Sequence, residues 1–387
     1  MDFGLSWEQE ALVAQVDEFC RKEVEPVVDE YDRKKALRDA GLAKEFLGKL
    51  RPFGAISGPV PEEYGGAELD YLTTGLVTEK IAEYWASLCG VCLIQIAAAR
   101  LLSEIENEEL KKRYLPRVCS GDMIVCACIT EPDVGSNPLN VSSTLSSVEG
   151  GYLLNGSKTW ISNGSISDLA IVVATVDKTL GPKGLAMALV DRKESPYETR
   201  ELEKLGLKAF PTSELFFEDC FVPAENLIVE PGKGLKTTMR SFELARSMMG
   251  SGATGLARAA IRLAVEYAQQ REQFGRKIGS LQLIQEMIAD MRARTDAAAF
   301  VVYRALWMMD QGIRCDAESA LGKFYATEDA VTTTSECIQV LGAYGLSEEY
   351  AAERFFRDAR SFTIPDGTTQ IQKLIVARNM LGLSAFV

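Results

Sequence analysis

The fold class of this 387-residue chain is decided by residues 123–164, MIVCACITEPDVGSNPLNVSSTLSSVEGGYLLNGSKTWISNG. Short runs of apolar residues, many of them β-branched or aromatic, alternate here with Gly, Pro and Asn, which is typical of short strands joined by turns. Asn155 and Gly156 stand between two apolar runs and predict a hairpin turn. Similar runs continue to about residue 230 without a helix long enough for a parallel crossover. We therefore expect an antiparallel barrel or sandwich.

Helical sequence flanks this strand-rich stretch on both sides. Near the start, Ser6 followed by Gln9 fits a capping box, and apolar residues then repeat at helical spacing. Long segments after the strand-rich stretch show the same spacing. The sequence therefore predicts an α+β chain with an N-terminal helical domain at 1–120, a central β-domain at 121–232 and a C-terminal four-helix bundle at 233–387.

Charge and composition exclude several classes of partner. The chain carries 42 Lys and Arg against 55 Asp and Glu, a formal net charge of −13, which disfavours nucleic acid and anionic membranes. Charged residues come too early for a signal peptide, and no window approaches about 18 uninterrupted apolar residues. The nine cysteines show no paired spacing. We expect a cytoplasmic protein without a disulfide framework.

The chain contains no histidine. This absence excludes Ser-His-Asp and Cys-His catalysis, and also every metal site that uses imidazole ligands. A general base must therefore be Asp, Glu, Lys, Tyr or Cys. No metal site is predicted.

Four groups of residues combine polar side chains with turn residues in a way that favours ligand binding. Each also has a plain structural interpretation: a polar loop, a hairpin with a core Trp, a charged helix end, and a Pro-Asp-Gly turn. As a binding site, the loop would offer hydroxyl and amide groups, and Trp160 would offer a flat apolar face. The guanidinium of Arg271 could bind a phosphate in a bidentate manner. The groups lie at 130–137, at 155–164, at 271–276 with Gln282, and at 339–345 with 364–372.

In their order and spacing, these segments resemble the motifs of the acyl-CoA dehydrogenase family. They are similar to its T-E-P-x-x-G-S-D loop, its N-G-x-K-x-W-I-S-N hairpin, its R-x-x-F-G with a downstream Gln, its Q-x-x-G-G-x-G and its E-G-T-x-x-I-Q turn. Residues 61–66, PEEYGG, match a further family loop. The chain departs from the motifs at Asn137, Ala343 and Asp366, where the family has Asp, Gly and Glu.

The resemblance implies FAD as cofactor, an acyl-CoA thioester as substrate and an electron-transfer flavoprotein as electron acceptor. The implied FAD-binding residues are Thr130, Gly135, Ser136, Trp160, Ser162, Arg271, Phe274, Gln282, Gln339, Gly342, Ala343, Thr368 and Gln370. Those from 271–282 and 339–343 would reach the FAD of a neighbouring subunit, so a homo-oligomer is expected, usually a tetramer in this family. The implied substrate-binding residues are Ser136, Glu243, Arg246 and Gly367.

The family reaction is an α,β-elimination, in which a carboxylate removes the α-proton while the β-hydrogen leaves as hydride to flavin N5. The resemblance places Asp366 as this base. Some family members use a Glu just before the position of Arg246 instead, but that residue here is Ala245. Asp is shorter than Glu by one methylene, about 1.5 Å, so the substrate must be presented differently.

The shorter base favours a branched or ring-bearing acyl group, such as cyclohexane-carboxyl-CoA. In the family, the helix between Lys80 and Arg100 lines the acyl pocket, and no basic residue lies between those two here. A dicarboxylic substrate such as glutaryl-CoA is therefore less expected, because its free carboxylate requires a cation.

Two short patterns suggest other chemistry but have simpler explanations. Gly250, Gly252 and Gly255 fit the dinucleotide fingerprint G-x-G-x-x-G, yet they follow a helical segment rather than a strand. Close packing between helices explains them better. Cys89 and Cys92 fit C-x-x-C, but they stand on a predicted buried helix with no second pair. We expect them in the core.

Three other functions remain open from the sequence. A dehydrogenase could act on an acyl group carried by a carrier protein instead of CoA. A flavin oxidase similar to nitroalkane oxidases is a second possibility, since those relatives also place Asp at the base position. A non-catalytic flavoprotein that serves as an assembly partner is the third, although the retained carboxylate of Asp366 argues against it.

Overall fold

The computed structural model describes residues 4–385, apart from the side chains of residues 235 and 236. In this part of the chain, helices precede the first strand, and the capping box at Ser6 and Gln9 is confirmed: each backbone N–H donates to the other side chain, at 3.3 and 3.0 Å. A π-helical segment at Cys20–Val24 follows the first helix. The α-helices are α1 (Trp7–Phe19), α2 (Val28–Arg33), α3 (Ala40–Leu50), α4 (Tyr71–Tyr84), α5 (Ala86–Ser103) and α6 (Glu108–Ser120).

Helix α5 runs through the interior of the protein. Its 18 residues, with a mean hydropathy of 1.7, are long and apolar enough to cross a membrane, but 72% of them are buried inside the fold. Such burial is typical of a core helix. Trp85 separates α5 from α4 by adopting an extended backbone, and its buried indole packs against the rings of Tyr31 and Phe46.

The central part of the chain forms one mixed sheet. Its strand order is β6-β7-β3-β2-β4-β5-β8, with β1 paired to β4. The expected antiparallel pairing holds for most neighbours, but β1 and β2 both run parallel to β4. The hairpin of β2 and β3 forms the crossover connection between β1 and β4. The strands are β1 (Val125–Cys128), β2 (Thr144–Val148), β3 (Gly151–Ser162), β4 (Leu169–Thr175), β5 (Leu185–Asp191), β6 (Glu198–Glu201), β7 (Thr212–Pro223) and β8 (Leu227–Val229).

The hairpin turn predicted at Asn155 and Gly156 is wrong. Both residues lie inside β3, at an irregularity in its register with β7, and the chain reverses earlier, between β2 and β3. Asn155 does not stabilise a turn, because its side chain exchanges hydrogen bonds of 2.8 and 3.0 Å with Asp219 of β7. Gly156 is required because a Cβ there would lie 2.4 Å from the Ser143 hydroxyl.

After the sheet the chain is helical again, which confirms the predicted helix–sheet–helix order. Helices α7, α8, α9 and α11 pack together, and α10 contacts α7 and α9. The short antiparallel strands β9 (Glu272–Gln273) and β10 (Arg276–Lys277) lie between α7 and α8. The helices are α7 (Gly234–Gln270), α8 (Gln282–Asp310), α9 (Asp316–Leu341), α10 (Ala352–Phe362) and α11 (Thr369–Leu381).

The three glycines of the G-x-G-x-x-G pattern lie in the middle of α7, so they do not form a dinucleotide-binding turn. The prediction that they permit close helix packing is confirmed. A Cβ on Gly250 would meet Val302 of α8 at 2.7 Å, and one on Gly255 would lie 2.0 Å from the Glu79 carbonyl oxygen of α4. The backbones of these helices therefore approach too closely for any side chain.

Cys89 and Cys92 are buried in α5, as expected for core residues. Among the described residues, no group of three or more Cys, Asp and Glu side chains is arranged to hold a metal ion. Both thiols therefore contribute to packing.

We expect the substitution Gly255→Ala to destabilise the protein by about 1–3 kcal/mol, because the added methyl group overpacks the contact between α7 and α4. Gly48→Ala is the matched control, since Gly48 lies on the exposed side of α3 and a Cβ added there would have no atom within 4 Å. That change should stabilise by about 0.5–1 kcal/mol. Thermal unfolding of the two variants measures the difference, and equal melting temperatures would contradict the packing argument.

Candidate functional site

The loop after β1 and the end of β3 form one surface. The Thr159 N–H donates to the Thr130 carbonyl oxygen at 3.0 Å, which brings the two motifs predicted in the β-domain side by side. The register between β3 and β7 is irregular between Lys158 and Ile161, and Trp160 takes a left-handed backbone with φ 59°. This bulge turns the indole outward, so that 57% of Trp160 is exposed.

A buried ion pair beneath this surface holds the loop in place. The Lys158 ammonium lies 2.7 Å from Glu131 Oε1, and both side chains are almost completely buried. Glu131 also accepts hydrogen bonds from the backbone and hydroxyl groups of Ser142 and Ser143. Burial acts to raise the pKa of Glu131, but Lys158 and the hydroxyls lower it to about 2. The carboxylate therefore stays ionised and the loop is fixed.

The same loop leaves open space at Gly135. Gly135 and Ser136 are exposed, and a Cβ on Gly135 would have no atom within 4 Å. Ser162, at the end of β3, is half-buried. The surface thus presents an aromatic face, hydroxyls and uncovered backbone, which can receive a flat ring system with polar edges.

A second group of predicted residues meets at the turn before α11. Asp366 is half-buried and takes a left-handed backbone with φ 53°, and Gly367 follows with φ 92°. The Gln372 amide donates to the carbonyl oxygens of Asp366 and Gly367 at 2.8 and 2.9 Å. Lys323 of α9 donates to the Gly367 carbonyl oxygen at 2.6 Å. A left-handed backbone at a residue other than glycine persists only where its surroundings hold it.

Two cations partly oppose the effect of burial on the pKa of Asp366. Burial raises the pKa of Asp366, while Lys323 and Arg246 lower it. Arg246 is 4% exposed and donates to Asp316 Oδ1 at 2.9 Å. Glu243 lies one turn earlier on α7, where it is half-buried beside the Cys315 thiol. The substrate-binding residues expected from α7 therefore lie on the helix that faces the Asp366 turn.

Thr368 and Gln370 begin α11, directly after this turn. The Thr368 hydroxyl accepts a hydrogen bond from the Ile371 N–H at 3.4 Å and caps the helix. Gln370 is exposed. The N-terminal end of a helix favours anionic groups, so this position suits the polar part of a phosphate-bearing ligand.

The remaining predicted residues lie at the opposite end of the C-terminal helices. The Tyr350 ring contacts both Tyr267, in the last turn of α7, and Tyr344, which follows α9. This contact places the ends of the two helices together. The exposed residues at this end are Arg271, Phe274, Gln282, Gln339, Gly342 and Ala343.

This outer end is too far from the Asp366 turn to belong to the same site in one chain. From Arg246 to the end of α7 at Gln270, the helix rises about 36 Å, at roughly 1.5 Å per residue. Phe274 is 91% exposed, and Cβ atoms at Gly275 and Gly342 would have no atom within 4 Å. The Asp366 turn and the outer end of the C-terminal helices are thus two separate surfaces of the chain.

Comparison with known families identifies the family of the chain. Models of the N-terminal, middle and C-terminal domains of acyl-CoA dehydrogenases match residues 6–122, 126–220 and 232–381. The chain belongs to the acyl-CoA dehydrogenase family. It is therefore a flavoprotein oxidoreductase that acts on CH–CH bonds, and the family is FAD-dependent. The exposed Trp160 face and the open space at Gly135 both fit this cofactor.

Relatives cover almost the entire chain. A glutaryl-CoA dehydrogenase of Desulfococcus multivorans is 36% identical over 99% of both chains. The solved butyryl-CoA dehydrogenase of Megasphaera elsdenii matches with a TM-score of 0.94 and 32% identity, over 98% of this chain and 100% of that one. A solved chain from work on the electron transferring flavoprotein of Acidaminococcus fermentans matches with a TM-score of 0.95 and 32% identity, over 98% of this chain and 100% of that one.

Sequence reasoning missed three residues that support the site. Glu131 and Lys158 lie inside the predicted motifs but have no role there, because only the folded chain shows that they pair. Lys323 belongs to none of the motifs. A signal existed, since Lys323 shares a helical face with Ala320, Ala326 and Thr327, all of which are buried.

We expect Lys158→Met to destabilise the protein by about 3–5 kcal/mol, because it leaves the buried Glu131 carboxylate without its cation. The variant should also retain less of the yellow cofactor, because Glu131 holds the loop at 130–136. The double variant Lys158→Met with Glu131→Leu removes both charges and should recover much of the loss. Thermal unfolding and cofactor content test this, and a double variant no better than the single one would contradict it.

Proposed function

We propose that this protein is an acyl-CoA dehydrogenase in which Asp366 is the catalytic base. The observation that carries the proposal is the Asp366 turn: a carboxylate on a left-handed backbone, half-buried, with Lys323 and Arg246 acting on its charge. No histidine is present to serve instead. The bound FAD supplies the acceptor for the hydride that leaves the β-carbon.

The surroundings of Asp366 suit proton abstraction from carbon. The carboxylate removes the α-proton and becomes neutral, so burial, which raises its pKa, makes it a stronger base. Lys323 and Arg246 limit that rise, which favours the ionised carboxylate before the reaction. In the family, the backbone N–H of the base residue polarises the thioester carbonyl. The contacts to the Asp366 and Gly367 carbonyl oxygens hold the backbone of this turn.

We propose an uncharged, ring-bearing acyl group such as cyclohexane-carboxyl-CoA as the substrate. Although one relative is named a glutaryl-CoA dehydrogenase, Lys80 of α4 and Arg100 of α5 are both engaged in this chain. Lys80 contacts Asp17 and Glu83, and Arg100 contacts Tyr71 and Glu104. Neither is available for a free carboxylate. The shorter Asp side chain favours a substrate that presents its α-carbon closer to the turn.

The separation of the outer end from the other predicted FAD-binding residues suggests how FAD is shared between subunits. Residues near Trp160 and at the start of α11 bind it within the chain, and the residues at the outer end bind the FAD of a neighbour. The protein would then be a homo-oligomer, a tetramer in keeping with its family. The residues proposed within the chain are Thr130, Gly135, Ser136, Trp160, Ser162, Thr368 and Gln370, with Ser136, Glu243, Arg246 and Gly367 at the thioester.

The electron acceptor proposed is an electron-transfer flavoprotein, a choice supported by the relative studied with such a protein. The cytoplasm is the proposed location. Support comes from the nine cysteines, all of which are free and buried in the described structure.

An anaerobic titration of the purified protein with acyl-CoA esters tests the reaction and its substrate together. We expect cyclohexane-carboxyl-CoA to bleach the visible flavin band more completely than butyryl-CoA or glutaryl-CoA. Free CoA is the control and should leave the band unchanged. Bleaching by straight-chain esters alone would contradict the substrate class. A yellow protein that no CoA ester reduces would favour a carrier-bound thioester or an oxidase.

Replacing the base should separate chemistry from folding. We expect Asp366→Asn to keep the fold and the flavin but to slow flavin reduction by about 10²–10⁴-fold, the usual contribution of a positioned base. Asp366→Glu restores a carboxylate about 1.5 Å further out and should shift preference toward straight-chain esters. Stopped-flow reduction rates measure both effects. Retained turnover in Asp366→Asn would assign the base to another residue.

A further inference from the structure

Lys323 is a buried cation whose contacts converge on the Asp366 turn. Its side chain is 0% exposed, and its ammonium donates to the Gly367 carbonyl oxygen at 2.6 Å. Burial lowers the pKa of Lys323 to about 8, although Asp366 and Glu328 act in the opposite direction. A buried ammonium is costly unless it is paired. In this chain the Gly367 carbonyl oxygen accepts its hydrogen bond, and the charges of Asp366 and Glu328 stabilise it.

The turn itself is held through its carbonyl oxygens by two elements of the C-terminal helices. Gln372 of α11 binds the carbonyl oxygens of Asp366 and Gly367, while Lys323 approaches Gly367 from α9. Both turn residues have positive φ angles, 53° and 92°. The side chain of Asp has one rotatable bond fewer than that of Glu, so its carboxylate follows the backbone more closely. Backbone position therefore decides where this base lies.

We propose that Lys323 is a positioning residue that holds the Asp366 turn and keeps its carboxylate ionised before proton abstraction. The proposal rests on the proposed function of Asp366 as base. Lys323 acts through Asp366 and the Gly367 carbonyl and does not contact the substrate. A purely structural lysine would tie α9 to the turn without changing the protonation of Asp366, and this difference can be measured.

The charged groups around the turn determine the expected sign. Lys323 of α9 and Arg246 of α7 both lower the pKa of Asp366. Arg246 is engaged by Asp316, and Glu328 of α9, which acts on Lys323, accepts a hydrogen bond from Thr369 at 2.5 Å. Removing the Lys323 charge leaves burial less opposed, so the pKa of Asp366 should rise. The base is active as the carboxylate, so activity should be lost from the acidic side.

The experiment compares Lys323→Met with Lys323→Arg and with a matched control, Lys204→Met. Lys204 is partly buried, like Lys323 donates to a backbone carbonyl oxygen, that of Phe210, and has a pKa lowered by burial to about 8, but it does not act on Asp366. In single-turnover flavin reduction by the best thioester, Lys323→Met should move the acidic limb of the pH profile upward by about 1–3 units. Lys323→Arg keeps the charge and should largely restore the profile.

An infrared titration of protein labelled with ¹³C-aspartate gives a second readout that does not depend on turnover. The Asp366→Asn variant assigns the carboxyl band, and Lys323→Met should shift its titration upward by the same amount. If Lys323→Met does not fold, Lys323→Gln, which also removes the charge, replaces it. An unchanged Asp366 titration, or an equal shift in Lys204→Met, overturns the proposal. A wild-type protein that no thioester reduces contradicts the proposed function instead, and the infrared result still decides the role of Lys323.

Discussion

The close packing of α7 against its neighbours is the constraint on which the rest of the structure depends. A Cβ on Gly250 would meet α8, one on Gly252 would meet α10 and α5, and one on Gly255 would meet the backbone of α4. Because four helices approach this one helix, its residues have little freedom to shift. Arg246, about one turn before the first of these glycines, is thereby placed near the Asp366 turn. The far end of α7 is carried to the opposite side of the bundle.

A buried lysine stabilises each of the two parts of the candidate site, the loop beside Trp160 and the Asp366 turn. In the β-domain, Lys158 pairs with Glu131 and fixes the loop beside Trp160. In the helical bundle, Lys323 binds the Gly367 carbonyl oxygen and acts on Asp366. Both ammonium groups are buried away from water. An unpaired charge would be costly in such a place. Each therefore couples the position of an active-site segment to the stability of the domain beneath it.

Sequence patterns predicted local structure well where neighbouring residues decide it. Pro365, Asp366 and Gly367 form the turn that their composition indicates, and the capping box at Ser6 appears as expected. Asn155 and Gly156 show the limit of such reasoning, because they have the composition of a hairpin turn but lie inside a strand. Asp219, distant in sequence, binds the Asn155 side chain. The local turn preference was overridden there by a contact with Asp219, which lies 64 residues away in the sequence.

The sequence by itself determined the family, the order of helices and strands, and the chemistry available, since the motif residues and the absence of histidine are properties of the chain alone. Only the tertiary structure decided which charges meet. Lys158 and Glu131 are 27 residues apart, and Lys323 and Gly367 are 44 apart, so their contacts arise from packing between elements. The parallel pairing of β1 with β4 has the same origin, because long-range contacts depend on how elements pack and not on local preference.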